Sequence, residues 1–403
     1  MTISHKFIHS IHTIDEEIWK QLLQTDYPFQ QYQWLAALED NNCISSVTNK
    51  ADFERLGWRA HYLLLEEDCQ PVAIAPIFEK LHSYGEYVFD WSWADAYHRH
   101  GLEYYPKLVW TIPFTPSTGP RLICQTNTAN FKRYAEYCAR ALTEYCQAHD
   151  YSGWHCLYPQ DDLKAAIKRQ TLSRNSCQFH WYNLSLSGHR YQSFDHFLED
   201  FTSRKRKNVR KERARFQSSQ IEIKRLSGAD ISARDIENFY RCYQLTYMKR
   251  GMQGYLNLNF FQQLRETMAD QMLLVQANLT PDSSDNGGQQ NIANALYFKD
   301  ERNLYGRYWG CLDEYDSLHF ECCYYQGIEY CIENNLEHFD PGTQGEHKIS
   351  RGFRPVICHS QHWIAHPQFR DAIDRFVQEE AMDIKHYQQQ ASIHLPFKNI
   401  DHD

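Results

Sequence analysis

The chain has 403 residues, 42% of them hydrophobic and 15% aromatic, too long for one ordinary core and predicting two or three domains. Lys and Arg number 42 against 51 Asp and Glu, a formal net charge of −9. That balance excludes a general nucleic-acid coat, because phosphate neutralisation needs excess cations, and leaves only a local basic patch open.

The 13 cysteines are an odd number without a Cys-x-x-Cys pair. This is the usage of a reducing compartment, where Cys serves as a small apolar residue. The N-terminus lacks the apolar core of a signal peptide, and no run approaches the roughly 18 apolar residues of a membrane span. A soluble cytoplasmic protein is expected. His5, His9 and His12, and again His359, His362 and His366, have no Cys or carboxylate at ligand spacing, so no metal is expected. Oligomeric state is not legible.

In chain order, the pattern predicts a helix over Tyr32–Glu39, then strands at His61–Glu66, Val72–Phe78 and Tyr84–Phe89, from β-branched and aromatic residues between turn signals. A long helix over Phe131–His149 follows, then a short strand ending in proline, Trp154–Pro159, and an aromatic strand, Phe179–Asn183. The second half repeats this order. A helix over Phe260–Met268 leads into strands at Met272–Ala277, Ile292–Phe298 and Tyr305–Trp309. A helix over Leu318–Asn335, the strand Glu337–Pro341 and the strand His359–Trp363 complete it. Both halves carry Tyr-Gly-x-Tyr, at Tyr84 and at Tyr305. Each half thus reads as a mixed, largely antiparallel sheet flanked by helices, an α/β (α+β) layer structure. The halves are expected to divide near residue 190, into 1–190 and 191–403. Pro281–Gln290 is a polar loop between strands.

The first half carries an insertion, Phe89–Tyr97 followed by Ile112–Arg121. Asp90, Trp93 and Arg121 are expected to wall a cleft between the halves, with Arg121 holding an anion. Residues 204–215 hold eight cations in twelve positions and predict a helix docked by a thin apolar stripe that includes Val209 and Phe216. Lys205, Lys207, Arg210 and Lys211 are its candidate phosphate ligands, for coenzyme A, an RNA backbone or a nucleotide-linked substrate.

Phe339–Phe353 places Gln344, Glu346, His347, Lys348 and Arg351 on one turn shaped by three glycines and a proline. Loops at strand ends are where rigid scaffolds carry chemistry. On the preceding helix Glu321, Tyr325 and Glu329 share one face at four-residue spacing. Carboxylates on so apolar a helix are costly to bury unpaired, so pairing with Lys348 or Arg351, or lining a pocket, is expected.

The repeat, the basic helix and the Gln-Gly-Glu-His-Lys loop together resemble the Fem-like predicted N-acyltransferases, often labelled peptidoglycan biosynthesis or recognition proteins and related to the GNAT fold. The likeness runs from Phe29 to Glu379. Its most specific pieces are Phe89–Tyr97, Pro113–Arg121, Tyr305–Gly310, Leu318–Tyr330 and Gly345–Phe353. It implies two tandem GNAT-like domains, the first shaping a cleft and the second catalytic. It further implies N-acyl transfer from an activated donor to a primary amine of a small-molecule or cell-wall-precursor-like acceptor, by direct attack. One departure concerns the donor. Many GNAT enzymes hold pyrophosphate on Arg/Gln-x-x-Gly-x-Gly/Ala, whereas Gly310–Ser317 lacks that pattern and carries three acids. Fem-type relatives use aminoacyl-tRNA, so acyl-CoA and aminoacyl-tRNA both stay open as donors, with tRNA a further partner.

For such transfer His347 is the natural base, since imidazole titrates near neutrality, and Glu346 serves if burial raises its pKa. Tyr305 is the candidate acid for the leaving group. Lys348, Arg351, Gln344, Glu321, Tyr325 and Arg307 are the expected substrate contacts beside Asp90, Trp93 and Arg121. The alternative is a non-catalytic ligand- or RNA-binding protein on the same duplicated fold.

Overall fold

The computed structural model describes residues 3–45, 50–125, 128–217, 220–280, 289–343 and 345–398. Gln344 and most of the Pro281–Gln290 loop lie outside the described residues. The chain forms two compact units: Met1–Ser176 with Ile357–His386, and Cys177–Val356 with Tyr387–Asp403. A single cut at residue 190 does not reproduce them: residues 177–190 belong to the second unit and 357–386 to the first.

In the first unit, Ile3–Ile8, Tyr62–Glu67, Gln70–Ala75 and Ile123–Cys124 form an antiparallel sheet. A second ladder runs from Trp58–Ala60 through Ile77–Lys80 to Lys107–Trp110, which pairs in parallel with Gly153–Leu157. That strand ends on Ser360–Ile364, antiparallel. The helix Thr128–Ala148 covers these strands through Cys138 and Leu142, packed with Leu63, Leu108 and Trp154 in one core.

The second unit repeats the plan. Ile221–Ser227, Met272–Leu279, Gln290–Lys299 and Asn303–Cys311 form an antiparallel meander. His338–Asp340 then joins Asn303–Tyr305 in parallel, and Trp181–Tyr182 closes the sheet antiparallel to His338–Phe339. Its core gathers Leu273, Val275, Tyr297, Ile328, Phe339 and Phe353. Local patterning locates the two late strands correctly, yet the one at 177–182 completes the second sheet and the one at 357–364 the first. Alternation along a strand fixes which face is buried, not which neighbour it pairs with.

One predicted strand is absent. Tyr84–Phe89 is a loop, although it shares Tyr-Gly-x-Tyr with the true strand at Tyr305. Here the Tyr84 carbonyl accepts from buried Lys80 Nζ and from Trp58 Nε1, and Tyr87 sits at φ +60°. That carbonyl goes to side chains instead of a ladder. The following Trp91–Arg99 is a helix.

Candidate functional site

The strand Asn303–Cys311 keeps its antiparallel neighbour to the end, but its parallel pairing stops at Tyr305–Asp340. The next residue on the short strand is Pro341, which has no N–H to donate to a ladder. The chain leaves the sheet there and coils into a 3₁₀ helix, Glu346–Arg351. Facing it is the helix that begins at Leu318–Phe320, widens into a π turn over Glu321–Tyr325 and continues as Gln326–Glu333. Such π insertions recur at functional sites.

His347 is exposed on the 3₁₀ helix, and its Nε2 lies 2.7 Å from the hydroxyl of Tyr324 in the π turn. Tyr324 is 3% exposed, and burial drives its phenol pKa up, which keeps the proton on. The imidazole edges against Phe320 and His319, with ring centroids at 5.5 and 5.7 Å. This partial burial, followed by the charges of Arg351 and Lys348, lowers the His347 pKa below its ordinary 6.5. His347 is therefore neutral at neutral pH, the form that accepts a proton. Gly345 holds the ring in place: its φ is +100°, and a β-carbon there would lie 1.9 Å from His347 Cε1.

The other charged groups of the loop are bound into the protein. Lys348 is buried, its Nζ donates to the Gly342 carbonyl at 2.5 Å, and burial brings its pKa down to about 8 against the pull of Asp340. Asp340 accepts the Gly342 N–H at 2.9 Å. Burial alone would raise its pKa, but His180 and that N–H prevail and hold it low. Behind Asp340 runs a chain of polar groups. His180 Nε2 is 3.7 Å from Asp340, His180 Nδ1 is 2.9 Å from His338 Nε2, and His338 Nδ1 is 3.2 Å from Asn303. Arg351 donates to the His347 carbonyl at 2.7 Å and to Glu212, and stacks 3.4 Å from the Phe320 centroid. Glu212 also receives the Tyr325 hydroxyl. Lys348, Arg351 and Tyr325 thus brace the loop and are not open substrate contacts.

Glu321 and Glu329 are paired, as expected, but their cation is Arg213 of the basic helix and not Lys348 or Arg351. Arg213 reaches Glu321 at 2.7 and 3.0 Å and Glu329 at 2.6 Å, and Gln326 donates to Glu321 at 2.8 Å. The geometry is a fork gripping two carboxylates on one helix face. The basic helix itself spans Ser203–Gln217, with Val209 and Phe216 buried. Lys207, Arg210 and Lys211 are exposed and Lys205 half-buried; Arg210 pairs with exposed Asp195 at 2.8 Å.

Glu346 is exposed, and its carboxylate accepts the Tyr387 hydroxyl at 2.8 Å. Burial, the condition for Glu346 to act as base, is not met. Tyr305 is 5% exposed and donates to Asp300 at 2.8 Å. Arg307 is half-buried, its guanidinium 5.7 Å from the Tyr308 ring.

The first unit's candidates are internal. Arg121 is fully buried, and its guanidinium donates to the carbonyls of Leu157, Pro120 and Ser117 at 3.0, 2.9 and 2.6 Å. The guanidinium expected to hold an anion is instead committed to these carbonyls of its own unit. Asp90 is buried and bonded to Lys107 and Tyr104, and Lys107 also holds Glu86 at 2.9 Å. Glu86, Asp90 and His155 are the one group with metal-ligand spacing among the described residues, and the Lys107 ammonium already supplies positive charge there. Trp93 is buried, edge-on to His362 at 4.9 Å.

Sequence reasoning missed Tyr324, Glu212, Arg213 and the His180–His338 pair. Glu212 carried a usable signal, as the single acid in the basic run. The partners of Tyr324 and His180 come from tertiary contacts.

Two mixed-sheet units of one plan, with a charged loop where parallel strands part, define a duplicated α/β protein. The profile of the FemAB-like family, described as peptidoglycan biosynthesis/recognition, matches residues 10–399, and the chain belongs to that family. The crystal structure of FemX shares the fold at 10% identity and a TM-score of 0.51, covering 92% of this chain and 100% of that one. So does the C-terminal DUF2156 domain of a putative lysylphosphatidylglycerol synthetase from Agrobacterium fabrum, at 7% identity and a TM-score of 0.52, covering 91% and 97%. No curated protein matches the chain. No helix among the described residues is long and apolar enough to cross a membrane.

Proposed function

We propose that this FemAB-like protein is an N-acyltransferase that moves an acyl or aminoacyl group onto a primary amine of a peptidoglycan-precursor-like acceptor, with His347 as general base. The observation that carries this is the pairing of exposed, neutral His347 with buried Tyr324 at the point where the strands part. Family membership and the shared FemX fold support the reaction class.

The amine attacks the donor carbonyl directly, forming the new N–C bond. In the tautomer whose Nε2–H donates to Tyr324, His347 Nδ1 accepts the ammonium proton. Collapse of the tetrahedral intermediate breaks the bond from the carbonyl carbon to the leaving oxygen or sulfur, which takes up the proton from the His347 imidazolium. Tyr324, accepting from His347, keeps its own O–H for a developing negative charge. Lys348 and Arg351 hold the 3₁₀ helix that presents His347.

Between the two donors, aminoacyl-tRNA fits better than acyl-CoA. The segment after the strand carries Asp313, Glu314 and Asp316 without a glycine, and only three α-helical residues follow before the π turn. Acids there repel a pyrophosphate, and so brief a first turn gives it little dipole. Exposed Lys207, Arg210 and Lys211 suit a phosphate backbone instead. The test incubates the full chain with charged tRNA or acyl-CoA and an amine pool, and follows transfer by mass spectrometry. Transfer from charged tRNA that is lost in His347→Ala supports the proposal. Ligand binding without turnover, indifferent to that change, would make the chain a binding module.

A further inference from the structure

A pocket lies in the same unit, formed by residues that the proposed chemistry does not use. It has a volume of about 450 Å³ and sits between the helix Ala233–Met248 and the strands Ile221–Ser227, Met272–Leu279 and Gln290–Lys299. That volume is in the range of small-molecule sites.

Its rim is basic. Lys224, Arg234 and Arg241 line it, and the two arginines are exposed, with no ion pair among the described residues. Lys224 has Glu222 at 3.8 Å. The one acid in the lining, Asp235, is occupied as the capping-box residue: it accepts from the Ser232 N–H at 2.9 Å and from Gln276 Nε2 at 2.9 Å.

The floor is made of amides. Gln276 and Asn278 are 5% and 7% exposed. Gln276 uses its Nε2 on Asp235, and Asn278 uses its Oδ1 to accept from Asn291 at 3.1 Å. The Gln276 Oε1 and the Asn278 Nδ2 have no protein partner among the described residues, although both side chains are more than nine-tenths buried. With their other polar atoms bonded, these two amides leave an acceptor and a donor open in a pocket that three cations also line.

The first unit has a pocket of about 530 Å³ between the short helix Glu16–Leu22, the start of the strand Gln70–Ala75 and the helix Thr128–Ala148. Gln21, Gln24, Gln70 and Asn130 line it, and no charged residue does. Cations therefore line the second-unit pocket and not this one.

We propose that the second-unit pocket binds a phosphorylated sugar. The arginine forks match phosphate oxygens, and the amides take hydroxyl groups. No aromatic side chain lines the pocket to stack a nucleobase, which separates this ligand from a nucleotide. The proposal is independent of the acyl transfer, since Arg234 and Arg241 lie outside the His347 site.

Isothermal titration of the full chain with glucose 6-phosphate, inorganic phosphate, glucose and UMP tests it. Glucose 6-phosphate is expected to bind about 10-fold more tightly than inorganic phosphate, and glucose not measurably, as charge-assisted bonds dominate. Arg234→Gln and Arg241→Gln, both exposed and compatible with folding, should each weaken it by about 10-fold. Lys207→Gln on the basic helix should leave it unchanged. Equal affinity for inorganic phosphate, preference for UMP, binding that survives both arginine changes, or no binding would overturn the proposal.

Discussion

Arg213→Ala should destabilise the second unit by about 3 kcal/mol, the lower end of the cost of breaking a buried ion pair from one side. The figure follows from the geometry. Arg213 reaches two carboxylates within 3.0 Å, on Glu321 and Glu329. The three side chains are 15%, 4% and 23% exposed, so water can re-solvate Glu329 in part but hardly Glu321. Charges about 4 Å apart interact by about 4 kcal/mol at an effective dielectric near 20, and the desolvation already incurred by Glu321 is what the variant leaves uncompensated. Urea denaturation followed by tryptophan fluorescence reads this out. With a slope of about 2 kcal/mol per molar, the midpoint of the second unit's transition should fall by about 1.5 M. The double change Arg213→Met with Glu321→Leu should recover most of the loss, because the charge that water hardly reaches is removed with its partner and only the partly solvated Glu329 is left unpaired. A midpoint within about 0.2 M of the parent in Arg213→Ala, on the same slope, would refute the reasoning and make the clamp an exposed pair of little worth.

Buried histidines should make the fold acid-sensitive. Burial lowers His61, His155 and His338 from 6.5 to about 3. Their contribution is complete above pH 6.5 and is lost as pH falls from 6.5 towards 3, where the unfolded chain binds protons that the folded one refuses. Stability measured across that window should drop steadily, and a flat profile would contradict the burial. Gly345→Ala should cut transfer by at least about 10-fold, since the new β-carbon displaces the His347 ring, at a stability cost of about 1 to 3 kcal/mol for the strained φ; unaltered turnover in the folded variant would detach the ring's position from the chemistry. Replacing Lys207, Arg210 and Lys211 with Gln should weaken tRNA binding and reduce its salt slope by about 2 to 3 at roughly 0.7 to 0.9 per phosphate. An unchanged slope would place the tRNA elsewhere.

The strands Met272–Leu279, Gln290–Lys299 and Asn303–Cys311 were legible because apolar and β-branched residues run between clear turn signals. Tyr84–Phe89 misled because its four-residue match to Tyr305–Tyr308 says nothing about whether a neighbouring strand exists. The exchange of residues 177–182 and 357–364 between units was invisible for the same reason. In the loop, the concentration of charge at Glu346–Arg351 was legible and its disposition was not. Lys348 reads as a substrate contact in sequence, yet a turn begun at Pro341 carries it beneath the surface onto the Gly342 carbonyl. His347 is exposed, and its partner comes from a helix more than twenty residues earlier. Arg213 and Glu212 sit in a run read as a docked apolar stripe with phosphate-binding cations around it. Helical periodicity put Val209 and Phe216 inside, but the face that carries the clamp follows only from what packs against it.

The central claim is that neutral His347 takes the proton of the attacking amine, and single-turnover transfer from charged tRNA measured against pH tests it most directly. The account predicts a rate that rises through a group titrating below 6.5 and is level at neutrality, and about a 10²- to 10⁴-fold loss with disappearance of that acidic limb in His347→Ala. An unchanged rate and profile in a folded His347→Ala protein would contradict it.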